Sequence, residues 1–312
     1  VNGEPRAYEG YCTDVFFREA LTFIEQNRDR PFFCYISTNA PHSPFNVEAR
    51  YRDLYANSTD DELYQRFLGM ITNIDENFGR LRGRLRELGI EDNTILVFMS
   101  DNGQTAAGND PDPYNAGMRG MKGSPYEGGH RVPFFLRWPD GALAEGRTVR
   151  ELTSYVDFMP TILDLCGVAA GKEQDWHGDS LVPLLRGEGR GEWRERIVVT
   201  DTQRIPNPLK WRKSCVMKDS WRLVNRTELY DVVDDPGQIR NVADDHPETV
   251  RALQTAYEEW WKICSQQMDC DCPHVLPRDG DEIVLRTHDM RNETPAGVAW
   301  NQKQVRSGQP CM

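Results

Sequence analysis

A chain of 312 residues, 38% of them hydrophobic, can bury a sizeable core as one large domain or as a large domain plus a small one. Its 37 Lys and Arg stand against 49 Asp and Glu, a formal net charge of −12, so most of the surface repels polyanions, which argues against a nucleic-acid partner. An apolar run of about eighteen residues, the least that a membrane-crossing helix needs, is absent from the sequence, as is a signal-peptide pattern.

In chain order, Thr13 is placed to cap a helix whose apolar residues Phe16, Ala20, Phe23 and Ile24 recur at steps of three and four, ending near Asn27. Phe32 to Thr38 is aromatic and apolar, bounded by Pro31 and Asn39-Ala40-Pro41, and predicts a strand. Leu63, Phe67, Met70, Ile74, Phe78, Leu81, Leu85 and Leu88 form one stripe of a long amphipathic helix that Gly89 stops. Thr94 to Met99 reads as a central strand covered on both faces, and a Gly-rich connection, 103–129, leads to a further strand, Val132 to Trp138. A short helix around Asp157 to Leu165 is closed by Gly167. This alternation predicts an α/β layer architecture with a mostly parallel central sheet.

From about Ile197 the pattern changes to short strands between polar turns: Cys215 to Lys218, Trp221 to Val224 and Glu228 to Asp231. They predict an antiparallel meander, covered by a helix from His246 to Ile263 that carries Val250, Leu253, Tyr257, Trp260 and Trp261. The expected division is therefore a main domain over 1–196, a small antiparallel subdomain with its covering helix over 197–265, and an irregular extension over 266–312.

Chemistry-bearing residues fall at strand ends. Asp101-Asn102-Gly103 directly follows the Thr94 to Met99 strand, at the edge where open α/β sheets place ligands. A carboxylate beside an amide carbonyl suits calcium or magnesium rather than zinc, although Asn-Gly pairs also make ordinary turns. His42, in Asn39-Ala40-Pro41-His42-Ser43-Pro44, is a candidate proton donor or anion ligand, against the plainer reading of a loop histidine. Lys122, between Gly120 and Gly123, could send one long cation inward; a solvated surface lysine is the alternative. Cys270, Cys272 and His274 alternate and would point one way on an extended segment, but Pro273 interrupts them and the spacing is not that of common zinc knuckles. Disulfides or free thiols are the simpler account of the eight cysteines.

Taken together, these segments resemble the sulfatase family, within the alkaline-phosphatase-like superfold. The likeness is carried by GYCTDVFFREALTFIEQNRDRPFFCYISTNAPHSPF, by ILVFMSDNG, by GMRGMKGSPYEGGHRVPFFLRWP and by WRLVNRTELYDVVDDPGQIRNVADDHPE, in the family's order. The resemblance implies that Asp101 and Asn102 ligate an active-site calcium ion, that Lys122 contacts the sulfate and the leaving oxygen, and that His42 is the general acid or leaving-group stabiliser. It implies for Arg131 a role in holding the loop rather than in touching sulfate.

The family also carries paired aspartates that complete the metal site, and Cys-x-Pro-x-Arg or Cys-x-Ala-x-Arg, whose Cys or Ser becomes the formylglycine nucleophile. None of Cys12, Cys34, Cys166, Cys215, Cys264, Cys270, Cys272 and Cys311 stands in such a motif. The resemblance therefore places the nucleophile in a missing N-terminal part, suggests that the chain also stops early at its other end, and implies that these residues alone are inactive. It implies a sulfate ester substrate, a sulfated sugar or an aryl sulfate, and a periplasmic, secreted or lysosome-like location. A phosphomonoester or phosphonate ester hydrolase of the same superfold, or a catalytically dead relative that binds sulfated glycans, are the rival readings. Asn57, Asn225 and Asn292 begin glycosylation sequons that matter only in a secretory eukaryote.

Overall fold

The computed structural model describes residues 3, 5–108, 114–143, 146–169, 176–187, 193, 195–203, 208–268, 273–278 and 281–286, the last two stretches and 267–268 by backbone alone. The chain divides into two units: Val1–Gly117 with Arg131–Arg150 and Ser154–Arg194, and Met118–His130 with Glu151–Thr153 and Glu195–Met312.

In the first unit, helix α1 (Cys12–Asn27) is preceded by Tyr11 in extended backbone, so Thr13 lies inside the first turn instead of capping it. The buried stripe is Thr13, Phe17, Ala20, Ile24 and Asn27, whereas Phe16 and Phe23, expected inward, are 37% and 40% exposed. A short helix α2 (Ala49–Arg52) leads to α3 (Glu62–Glu87), whose N-terminal amides at Leu63 and Tyr64 donate to the Asp61 carboxylate at 2.9 and 3.2 Å. Gly89 adopts a φ of +70° just past α3, and the Ile90 amide closes back on the Leu85 carbonyl at 3.0 Å, the helix stop that its position predicts. Two amides interrupt the apolar stripe: Asn73 and Asn77 are buried and donate to Asp14 of α1 at 2.9 and 2.7 Å. Buried polar groups need such partners, and these bonds tie α1 to α3.

Residues 31–39 carry no regular assignment, yet exposure alternates along them residue by residue. Phe32, Cys34 and Ile36 pack on the α1–α3 core of Phe17, Ile24, Leu81 and Leu85, while Phe33 and Tyr35 face outward. The side chains thus follow the period of the predicted strand, but among the described residues no neighbour completes a ladder. Strand β1 (Leu96–Met99) is followed by a one-turn helix α4 (Glu127–His130), which belongs to the second unit, and by β2 (Phe134–Arg137). The ladder between β1 and β2 is antiparallel, Leu96 opposite Arg137 and Met99 opposite Phe134, where the sequence pattern predicts mostly parallel pairing. A connection as long as 100–133 can return a strand in either direction, so the pattern of alternating elements does not fix it. The Phe78 and Phe98 rings meet edge-on at 5.3 Å, which seats β1 on α3. Helix α5 (Phe158–Leu165) ends at Gly167, as predicted, and α6 (Val182–Arg186) follows.

The second unit contains the expected meander with one strand more. Strands β3 (Val198–Asp201), β4 (Ser214–Lys218), β5 (Trp221–Val224) and β6 (Glu228–Asp231) pair antiparallel in chain order. Val216, Leu223 and Leu229 stand opposite one another and are fully buried against Leu253 and Tyr257 of α7 (Pro247–Met268). The opposite face is also covered: Val198, Cys215, Met217, Val224 and Tyr230 pack with Tyr126 and Leu152. Burial on both faces erases the usual alternation and pushes the Cys215 thiol up to about 12. In the tail, where no regular element is expected, β7 (Pro273–Arg278) and β8 (Asp281–Arg286) form an antiparallel hairpin; the intervening Asp279-Gly280 is the sequence signal for one. Cys270, Cys272 and Asn292 lie outside the described residues, and His274 falls in β7.

Candidate functional site

Asp101 and Asn102 follow β1 by a single residue, in a loop whose backbone is held by hydroxyls. Ser100 continues the β1–β2 ladder through its amide, which donates to the Pro133 carbonyl at 3.4 Å, and its Oγ donates to the Asn102 carbonyl at 3.0 Å. The Tyr155 hydroxyl lies 2.7 Å from the carbonyl oxygens of both Ser100 and Asp101. The side chains of the pair meet directly, the Asn102 amide 2.5 Å from Asp101 Oδ2. Asp101 is exposed, so its carboxylate meets solvent on the side away from the Asn102 amide.

His42 lies in the turn that follows the extended segment 31–39. Its amide donates to the Asn39 carbonyl at 2.8 Å, which makes a turn, and Nδ1 lies 2.8 Å from the Ser43 carbonyl. A carbonyl only accepts, so that contact places a proton on Nδ1 and leaves Nε2 directed elsewhere. The imidazole is exposed, with the chain on both sides constrained by Pro41 and Pro44.

Lys122 belongs to the second unit, on a loop that is folded back on itself. The Ser124 amide donates to the Met121 carbonyl at 2.9 Å, and Gly123 has a φ of +82°, so Lys122 and Gly123 are the central residues of a type II turn. Gly129 lies so close beneath this turn that a Cβ would fall 2.1 Å from the Ser124 carbonyl oxygen. The turn is anchored by Glu127, whose buried carboxylate accepts from Arg222 Nε at 2.7 Å and lies 3.2 Å from His130 Nε2, while its amide donates to Gln238 Oε1 at 2.7 Å. Burial pushes the Glu127 carboxyl up, but His130 and Arg222 together outweigh it and hold the group down at about 2. Arg119, at the start of the loop, lies over the Tyr126 ring at 3.8 Å and donates to the Tyr230 hydroxyl and the Gln238 carbonyl at 3.0 and 2.9 Å. Arg131 follows α4 in the first unit and is exposed.

Of the residues singled out in the sequence, His42, Asp101 and Asn102 lie in the first unit and Lys122 in the second; Asp101 and Asn102 touch directly. The bracing groups Tyr155, Arg119, Glu127 and Arg222 carry no local signal of their roles, because each acts on a residue distant in sequence; only a glutamate next to two glycines at a helix start could have drawn attention to Glu127. A carboxylate beside an amide fits a hard divalent cation in kind, although these two side chains fill only part of a sphere of roughly six to eight oxygens. Among the described residues, no group of three or more His, Cys, Asp or Glu is placed to hold a metal ion.

Comparison with known proteins places the chain in a family. Residues 2–168 match the family model described as Sulfatase, and residues 121–262 match that of the N-sulphoglucosamine sulphohydrolase C-terminal region. An uncharacterized sulfatase of Escherichia coli is 32% identical over 193 residues, 61% of this chain and 34% of that protein. The N-acetylgalactosamine-6-O-sulfatase of Bacteroides thetaiotaomicron is 27% identical over 273 residues, 78% of this chain and 50% of the relative. Among solved structures, Ps i-CgsB in complex with k-i-k-neocarrahexaose superposes with a TM-score of 0.70 at 26% identity, covering 83% of this chain and 56% of that one. The chain thus spans about half, or less, of the length of these proteins.

Proposed function

We propose, because this chain belongs to the sulfatase family, that the protein hydrolyses a sulfate ester, with a sulfated sugar as the substrate class. The observation that carries the reading is the contact between the Asp101 and Asn102 side chains at the end of β1, inside the segment matched to the family. A relative named N-acetylgalactosamine-6-O-sulfatase and a solved structure in complex with k-i-k-neocarrahexaose support the sugar.

In this reading Asp101 and Asn102 contribute two oxygen ligands to a calcium ion, which when bound would neutralise sulfate oxygens and favour approach of a nucleophile. Lys122, at the tip of its braced turn, presents an ammonium to charge building on sulfate and on the leaving oxygen. His42, with Nδ1 on the Ser43 carbonyl, offers Nε2 to that same oxygen and, as imidazolium, gives it a proton. The nucleophile would be a formylglycine outside these 312 residues, so the chain by itself would turn over nothing.

The test pairs an aryl sulfate with an aryl phosphate on the full-length protein. Preferred turnover of the sulfate is expected, and Lys122→Ala should lower kcat/KM by about two to three orders of magnitude at an unchanged melting temperature. Preferred turnover of the phosphate would favour a phosphoryl-transfer relative, and undiminished turnover by the Lys122 variant would remove that residue from the site.

A further inference from the structure

Tyr155 is nearly half exposed, at 47%, so its ring fills little core, yet its hydroxyl sits at the middle of the Asp101 loop. A phenol has one proton to donate, and here two successive carbonyls, those of Ser100 and Asp101, converge on it at 2.7 Å each. The third carbonyl, that of Asn102, is taken by Ser100 Oγ. Three consecutive carbonyl groups are therefore turned toward hydroxyls, which fixes the backbone that carries the hydrogen-bonded Asp101–Asn102 side-chain pair.

Tyr155 is itself held firmly. It opens a single 3-10 turn, Tyr155–Asp157, in which the Ser154 amide donates to the Asp157 carboxylate at 2.7 Å. Asp157 is fully buried and also accepts from the Asp179 amide at 3.0 Å, while its carbonyl accepts from Thr161 Oγ1 at 2.5 Å. Thr161 Oγ1 in turn accepts from the Leu181 amide at 2.9 Å. Gly178 lies so near the Val156 carbonyl that a Cβ there would be 1.9 Å from its oxygen. The hydroxyl thus projects from a rigid polar bracket, the condition under which one hydrogen bond can fix the geometry of a neighbouring ligand.

We infer that Tyr155 is a positioning residue for the Asp101–Asn102 pair, setting the two side chains for a divalent cation by fixing the peptide groups from Ser100 to Asn102. The inference rests on the metal role proposed for that pair. Calcium titration of metal-free, full-length protein by calorimetry tests it, with thermal unfolding of the same metal-free samples alongside. Tyr155→Phe, which removes only the hydroxyl, should weaken calcium binding about fivefold and leave the metal-free melting temperature essentially unchanged. Wild-type affinity in Tyr155→Phe, with Asp101→Ala unable to bind, would overturn the positioning role and leave the metal reading intact. A melting temperature lowered without a change in affinity would reduce Tyr155 to a structural brace. If wild-type protein takes up no calcium, or Asp101→Ala binds as well as wild type, the metal reading fails and the positioning role fails with it.

Discussion

The sheet of the second unit and the extended segment 31–39 of the first both consist of short apolar stretches, yet they end in different states. In β4 and β5, Cys215, Val216, Leu223 and Val224 are all fully buried, because α7 covers one face and Tyr126 with Leu152 packs on the other. Along 31–39, Phe32, Cys34 and Ile36 reach the α1–α3 core while Phe33 and Tyr35 are 71% and 77% exposed. A strand needs a ladder for its backbone and a layer for each apolar face. The meander finds all of these within the unit, whereas 31–39 has a layer on one face only, among the described residues.

That contrast predicts a graded response to mutation and acid, measured by unfolding of the full-length protein. Leu223→Ala, which empties a fully buried position in the sheet, should cost about 2–5 kcal/mol of stability. A much smaller cost would mean that the core facing α7 can collapse around the gap. Acid should act next, through the Glu127 anchor faced by Arg222 and His130. Its folded pKa, about 2, lies below the ordinary glutamate value of 4.5, so its contribution is complete above about pH 4.5 and is lost as pH falls toward 2. The loss should approach about 3 kcal/mol and be absent from Glu127→Gln, so parallel acid titrations of the two proteins isolate it. Tyr35→Ser should have the smallest effect, within about 0.5 kcal/mol. A cost matching that of Leu223→Ala would show that the outward face of 31–39 is covered in the whole protein, and the contrast between the two regions would disappear.

Much of the fold was legible because periodicity is a local property. The long helix with its stop at Gly89, the meander with its covering helix, and the strand before Asp101 all follow from spacing and turn residues. Where the structure differs from the sequence pattern, long-range partners decide. Thr13 was expected to cap α1, but the chain enters the helix earlier and buries Thr13. On α1 the spacing of Phe16, Ala20, Phe23 and Ile24 predicts one stripe; Ala20 and Ile24 are buried, but the face that meets α3 carries Phe17 in place of Phe16 and Phe23, with Asp14 as partner for Asn73 and Asn77. The direction of β2 was equally invisible, since a long Gly-rich connection permits either return. In the candidate site, Asp101, Asn102, His42 and Lys122 announced themselves as polar groups after strands or among glycines; the residues that hold them did not.

The sequence by itself determined which segments are helical or extended, where glycines permit turns such as Met121–Ser124, and which side chains could carry the chemistry, because each depends on the conformational preferences of a few adjacent residues. Only the tertiary structure decided that Tyr155 would reach the Asp101 carbonyl across 54 positions and that Arg222 would lie against Glu127 across 95. Periodicity sets the direction of a side chain relative to its own backbone. What waits in that direction is set by packing, and there the buried charge and the bridging hydroxyl acquire their partners.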